Sequence, residues 1–256
     1  NVESPNDNGN RGNADDDNVG SDAEEPSSHK FKLFVLELIQ LLLLSTRENQ
    51  KLYLQFQPRI QDLVKVAFSG CTSTIMSLRL IGVDILGDII TIYGDAKDPL
   101  YDSVSLLEQQ QAQIIAALTP AFTSESSTEL ASEAINVCAK FVGSNIVPVD
   151  KCGRILRILI KSLEEFSSQG EPKIGDIEIS TIRGKRRIKL SVLNAWAELK
   201  IYSQNQQSSA ENQENSEQIG ALVDKYLEIL VPMWILSLRE YANLKYSGDL
   251  DGSGDK

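Results

Sequence analysis

The chain has 256 residues, 41% of them hydrophobic, enough to bury the core of one or two domains, and its formal charge of −11 at pH 7 opposes the broad basic face that a nucleic-acid partner requires. That charge is uneven: Asn1–Ser28 holds eight carboxylates against the single Arg11, leaving about −4 on everything that follows. Three cysteines, Cys71, Cys138 and Cys152, are an odd number without paired spacing, which argues for free thiols in a reducing, intracellular compartment rather than a disulfide framework.

Asn1–Ser28 is rich in Asn, Asp, Gly and Ser and nearly devoid of large apolar side chains, so it is expected to be a disordered acidic linker, residues 1–28. It lacks the aromatic or leucine anchors that an acidic binding motif buries. The sequence opens on Asn and carries no signal-peptide pattern, so it is expected to be a segment of a longer protein. Residues 29–248 are expected to form the folded unit and residues 249–256 a flexible tail.

Ser28 can cap a helix from His29 to about Thr46. Leu33, Leu36, Ile39, Leu43 and Leu44 make it apolar almost all round, which predicts cover on more than one side. Its apolar run, Leu33–Leu44, includes Glu37 and Gln40 and falls well short of the roughly 20 residues that span a bilayer, so no transmembrane segment is expected. Helix continues over Asn49–Phe56, Pro58 opens a new first turn, and Ile60, Leu63, Val64 and Ala67 carry an apolar stripe to Gly70.

Thr72 or Ser73 then opens the helix around which the chain is organised. In it Ile75, Leu78, Ile81 or Gly82, Ile85, Leu86, Ile89 and Ile92 recur at three and four residues, and Gly94 with Asp95 closes it in the manner of a left-handed cap. Its order of apolar residues, Arg79, the small Gly82 and Gly87, and Leu86 resembles the second helix of a HEAT repeat, in which small residues admit a close neighbour. After an unusually long connection, Ser105 with Glu108 and Ser126 with Glu129 read as two capping boxes, the second ahead of Leu130, Ala134, Ile135, Cys138, Phe141 and Val142. Gly143 ends that helix and Asp150 caps the next, whose buried face is Ile155, Leu156, Leu159, Leu163 and Phe166.

Gly170–Gly175 is a breaker, and Ile177-Glu178-Ile179 alternates briefly, as a loop or a short strand would. From Ser180 the helical period returns with Ile188, Val192, Ala195, Trp196, Leu199 and Tyr202. The Gln- and Asn-rich stretch 203–215 reads as a flexible polar loop. Ser216 caps a last long helix in which Ile219, Leu222, Val223, Tyr226, Leu230, Met233, Trp234, Leu238 and Tyr241 are expected to face inward, with a kink at Pro232. Roughly eight helices without a convincing sheet predict an all-α, HEAT-type α-solenoid of antiparallel helix pairs, four to five repeats at about 40–47 residues per pair.

Little here supports chemistry. His29 stands alone at a linker–helix junction, the cysteines lie on apolar faces without ligand-spaced partners, and Asp95, Asp98 and Asp102 are interrupted by Pro99 and lack the Gly and terminal Glu of a calcium loop. No catalytic residue, cofactor or metal site is expected. The concentrated positive charge is Arg183, Lys185, Arg186, Arg187 and Lys189, which can meet anionic lipid or an acidic partner segment, or can be a solvated helix start. Such charge opposes a helix N-terminal dipole, so Gly184 is expected to mark loop rather than helix.

The phrases GVDILGDIITIYGDAKDP and SLLEQQQAQIIAALTPAF, followed by EAINVCAKFVGSNIV and LNAWAELKIY, resemble the large HEAT-repeat protein 5 family, over about Ile75 to Tyr202. That resemblance implies a non-enzymatic scaffold segment of a large membrane-trafficking protein that assists the clathrin adaptor at the trans-Golgi network and endosomes. It implies protein partners, the clathrin adaptor complex and its accessory proteins among them, homodimers of the full-length protein, and a cytoplasmic location, peripheral on Golgi or endosomal vesicles. Two other readings stay open on the residues alone: a HEAT-repeat nuclear transport receptor, and the helical scaffold domain of a large lipid-kinase-like enzyme.

Overall fold

A computed structural model describes residues 26–98, 101–144, 146–167, 173–179, 181–205 and 210–250. The acidic linker up to residue 25 and the tail from residue 251 lie outside the described residues. Ten α-helices are formed among them: α1 (Pro26–Ser45), α2 (Gln50–Phe56), α3 (Ile60–Cys71), α4 (Met76–Tyr93), α5 (Gln111–Leu118), α6 (Thr128–Gly143), α7 (Gly153–Ser167), α8 (Ile182–Asn205), α9 (Ala210–Asp224) and α10 (Leu227–Leu250). Both ends of the folded unit differ from expectation, since α1 begins at Pro26, inside the predicted linker, and α10 runs on to Leu250.

The stripe on α4 explains the architecture. Ile85, Leu86, Ile89, Ile90 and Tyr93 are all buried, because α4 is packed by α3 on one flank, α6 on another and α1 on a third. In turn α6 packs on α8, α8 on α9, and α3 on α5. The second helices of successive pairs, α4, α6 and α8, therefore stack as one layer, with α3 on α5 beside it, which is the HEAT-type α-solenoid. Glycine sets how closely the first pair can approach. A Cβ on Gly82 would lie 2.5 Å from the Cys71 backbone nitrogen, so α3 and α4 touch backbone to backbone at Gly70 and Gly82.

Polar side chains stitch neighbouring pairs together. Arg79, buried on α4, donates from Nη2 to the Pro120 carbonyl at 2.6 Å and to Ser126 Oγ at 2.8 Å. Gln40 and Arg47 donate to Asp88 at 3.0 and 3.2 Å, holding α1 and the turn after it on α4. The Tyr53 and Tyr93 rings stack 4.6 Å apart, and the Tyr93 hydroxyl donates to the Tyr53 carbonyl.

Several helix ends depart from the sequence expectation, and at Ser126 a tertiary partner claims the group that local capping would have used. Ser126 does not cap α6; its hydroxyl is taken by Arg79 and Pro120, and Ser127 accepts from Leu130 N instead. Ser105 and Glu108 form no capping box, for Ser105 ends a strand and Leu106 N donates to the Ala96 carbonyl at 2.8 Å, so α5 starts only at Gln111. The long connection is a small antiparallel ribbon, β1 (Lys97–Asp98) with β2 (Tyr101–Ser105). A second ribbon, β3 (Lys173–Ile174) with β4 (Ile177–Glu178), turns at Gly175, whose φ of 59° suits glycine; Ile177 is therefore strand. Gly94 is right-handed, with φ −58°, so it is no left-handed cap. The central helix starts at Met76 with Ile75 at its cap, after Thr72 and Ser73, and Asp150 sits in a 3-10 turn, Val149–Cys152, rather than capping α7.

Larger corrections fall at the C-terminal end. Within 203–215 the described residues are helical: Ser203–Asn205 finishes α8 and Ala210–Asn215 begins α9. Its Gln and Glu residues are good helix formers and pair one turn apart, Gln213 with Glu217 and Gln218 with Glu214. Ser216 is mid-helix and buried, and the expected last helix is two, broken at Lys225–Tyr226, where Tyr226 packs 5.1 Å from the Trp196 ring.

Candidate interaction surface

Among the described residues no group of three or more His, Cys, Asp and Glu side chains is placed to hold a metal ion, and no helix is long and apolar enough to cross a membrane. Cys71, Cys138 and Cys152 are buried free thiols; burial pushes Cys71 up to about 12 and Cys152, with Asp150 nearby, also up to about 12, which keeps them protonated and unreactive.

The basic residues lie in the first turns of α8, and the helix runs straight through Gly184. Thr181 Oγ1 accepts from Gly184 N at 3.1 Å, and Gly184 is packed against Thr128 and Ile179, so the expected loop is a capped helix start. The unfavourable dipole is met by opposite charge from the next helix. Arg187 Nη2 lies 2.8 Å from Glu129 Oε1 and 3.8 Å from Glu133 Oε1 on α6, so this residue is spent on joining α8 to α6. Lys185 and Lys189 are half-buried, whereas Arg183 and Arg186 are exposed. The cluster is therefore divided rather than presented as one patch.

Beside it lies a feature that the sequence reading missed, an apolar cleft of about 720 Å³ between α8 and α10. Leu190, Ala197 and Ile201 form one wall, and Trp234, Leu238 and Tyr241 the other. The Trp234 indole donates to the Leu193 carbonyl at 3.0 Å and fixes the crossing of the two helices. Leu238 and Tyr241, expected to face inward, are 67% and 64% exposed, since α10 touches α8 near Trp234 and its later turns carry Leu244 and Tyr246 into solvent as well. A signal for the cleft exists in the sequence: Leu190, Leu193, Ala197 and Ile201 make a second apolar stripe on α8, off the one that enters the core.

The opposite end shows a similar exposed face. Phe31, Phe34 and Leu41 of α1 are 61–68% exposed, so α1 is covered on one side within this chain, and not on several as its composition suggested. Between these ends the layer α4–α6–α8 has a mixed groove of about 360 Å³ bordered by Ile90, Asp95, Ala139, Lys140, Glu198 and Tyr202. Nearby, Asp84 is raised to about 6, first by burial and then by Glu133 and Asp88, with Lys140 opposing. Extended, graded surfaces of this kind suit protein recognition.

Residues 55–243 match the profile described as the Laa1/Sip1/HEATR5 HEAT repeat region. The chain is 39% identical over 234 residues to AP-1 accessory protein LAA1 of Saccharomyces cerevisiae, an alignment covering 91% of this chain and 11% of that protein. It is 27% identical over 204 residues to Protein SWEETIE of Arabidopsis thaliana, covering 78% of this chain and 9% of that protein. The chain thus spans about a tenth of the length of the curated relatives it matches. No solved structure matches it.

Proposed function

The chain belongs to the Laa1/Sip1/HEATR5 HEAT-repeat family, and from that premise we propose that it is a non-catalytic protein-interaction scaffold segment of a large trafficking protein. In this reading it assists the AP-1 clathrin adaptor at the trans-Golgi network and endosomes, from the cytoplasmic side, as a peripheral component of vesicles. The observation that carries the proposal is the 39% identity, over nine-tenths of the chain, to a protein named as an AP-1 accessory protein. Stacked helix pairs with exposed grooves support it, because they provide extended recognition area.

Recruitment runs through protein contacts in this proposal. Only Arg183 and Arg186 of the basic cluster are exposed, and each basic residue near an anionic surface contributes about 1 kcal/mol, too little for stable membrane binding. The test is purification of the tagged protein from cells with quantitation of AP-1 subunits, beside sedimentation of the purified chain with protein-free anionic liposomes. Co-purification of AP-1 with negligible sedimentation is expected. Absence of AP-1, or strong liposome binding abolished by neutralising Lys185, Arg186 and Arg187 together, would overturn the proposal.

A further inference from the structure

The exposed basic residues and the apolar cleft belong to one continuous face. Along α8, Arg183, Arg186, Leu190, Asn194, Ala197 and Ile201 follow one another at three and four residues, so they share a helical stripe. Its first two members are exposed guanidinium groups, and its last four line the cleft against Trp234, Leu238 and Tyr241. We propose that this face is the docking site for an acidic amphipathic helix of a partner protein, with its apolar side chains seated between α8 and α10 and its carboxylates on Arg183 and Arg186.

Shape and charge both select this occupant. The cleft is concave and apolar, which fits the ridge of a helix and leaves Leu193 and Ala197 out of reach of a flat bilayer surface. Its floor is already held in place by the bond from Trp234 to Leu193, so little ordering accompanies binding. Exposed guanidinium forks pair with carboxylates in two-point geometry, and they would repel a basic helix. The inference concerns the surface alone, so its failure would leave the adaptor reading standing.

A displayed library of helical peptides about 16 residues long, selected against the whole chain, tests it. The expected consensus has apolar residues spaced at three and four on one face and Asp or Glu beside them. A synthetic consensus peptide should bind Leu238→Asp and Tyr241→Lys roughly tenfold or more weakly, and likewise the double variant Arg183→Glu with Arg186→Glu. Exchanging the peptide's acids for Lys should restore binding to that double variant. All four substituted positions are exposed, and an unchanged circular dichroism spectrum certifies each fold. A neutral or basic consensus, no selected peptide, or affinity indifferent to these substitutions overturns the proposal. So does binding of phosphatidylserine vesicles that depends on Arg183 and Arg186 when no peptide binds. Hydrogen exchange showing the Leu238–Tyr241 turn of a full-length family chain already protected without a partner would also overturn it, since the cleft would then be filled from within the chain.

Discussion

Leu86 and Asp88 sit two positions apart on α4 and differ in what surrounds them. Leu86 is fully buried between stacked helices, so Leu86→Ala is expected to cost about 2–5 kcal/mol through lost burial and a residual cavity. Asp88 accepts two hydrogen bonds at a half-buried position, and Asp88→Ala should cost about 0.5–1.5 kcal/mol. Urea titration separates the two, and equal effects would refute the assigned face. Gly82→Ala places a methyl on the backbone of α3, and a loss of about 1–3 kcal/mol is expected from the forced separation. Asp84 gives a pH signature. Its folded pKa is raised from 3.8 to about 6, so the folded state holds the proton more tightly than the unfolded chain does. Its contribution is favourable below pH 4 and is lost as pH rises through 6. Asp84→Asn should flatten the stability profile across that window and raise the melting temperature at pH 7; a wild-type slope retained in the variant would show that another group is responsible.

Among the long helices, α10 is weakly joined. Its attachment to α8 rests on the Trp234–Leu193 hydrogen bond and on Leu230, which is fully buried, whereas α4 and α6 are enclosed by neighbours along much of their length. Trp234→Phe keeps most of the apolar contact and removes the donor, so a loss of about 0.5–1.5 kcal/mol is expected, felt locally. Hydrogen exchange should register it as faster exchange over Leu227–Tyr246 with α4 and α6 unchanged. A uniform acceleration along the chain would mean that α10 folds as part of the same cooperative unit.

For the molecule as a whole, a solenoid's stability is approximately a sum of terms within repeats and between neighbours. The middle layer α4–α6–α8 has neighbours on both sides, and the outer faces of α1 and α10 expose large apolar side chains. Native-state exchange is therefore expected to be slowest in α4 and α6 and fastest at α1 and α10, graded outward. Slowest exchange at either end would contradict this arrangement of layers. The same exposure makes the two ends the places where added protein surface has most to gain by packing.

How far each feature could be read from sequence depends on whether its cause is local. Three-and-four spacing on α4, α6 and α8 is a local property, and it determined the all-α class, the buried faces and the solenoid, because a stripe flanked by small residues can be buried only against another helix. Arg79, the cysteines and Gly82 were legible for the same reason, as each stands on a face whose environment the pattern already specifies. Helix ends were not. Ser105, Ser126 and Asp150 have capping chemistry in any sequence window, yet which hydroxyl or carboxylate caps is settled by the Gly94 carbonyl that takes the Ser105 hydroxyl, by Arg79 at Ser126 and by the 3-10 turn at Val149–Cys152. Polar composition misled at Ser203–Asn205 and Ala210–Asn215, since solvent-facing helix and loop have the same polarity and differ in whether a neighbour lies alongside, as α8 and α9 do for each other. Apolar spacing marks the side chains that seek burial, and packing between helices selects which of them find it, because Leu238 and Tyr241 carry the same apolar signal as Leu230, yet α10 meets α8 near Trp234 and leaves its later turns exposed.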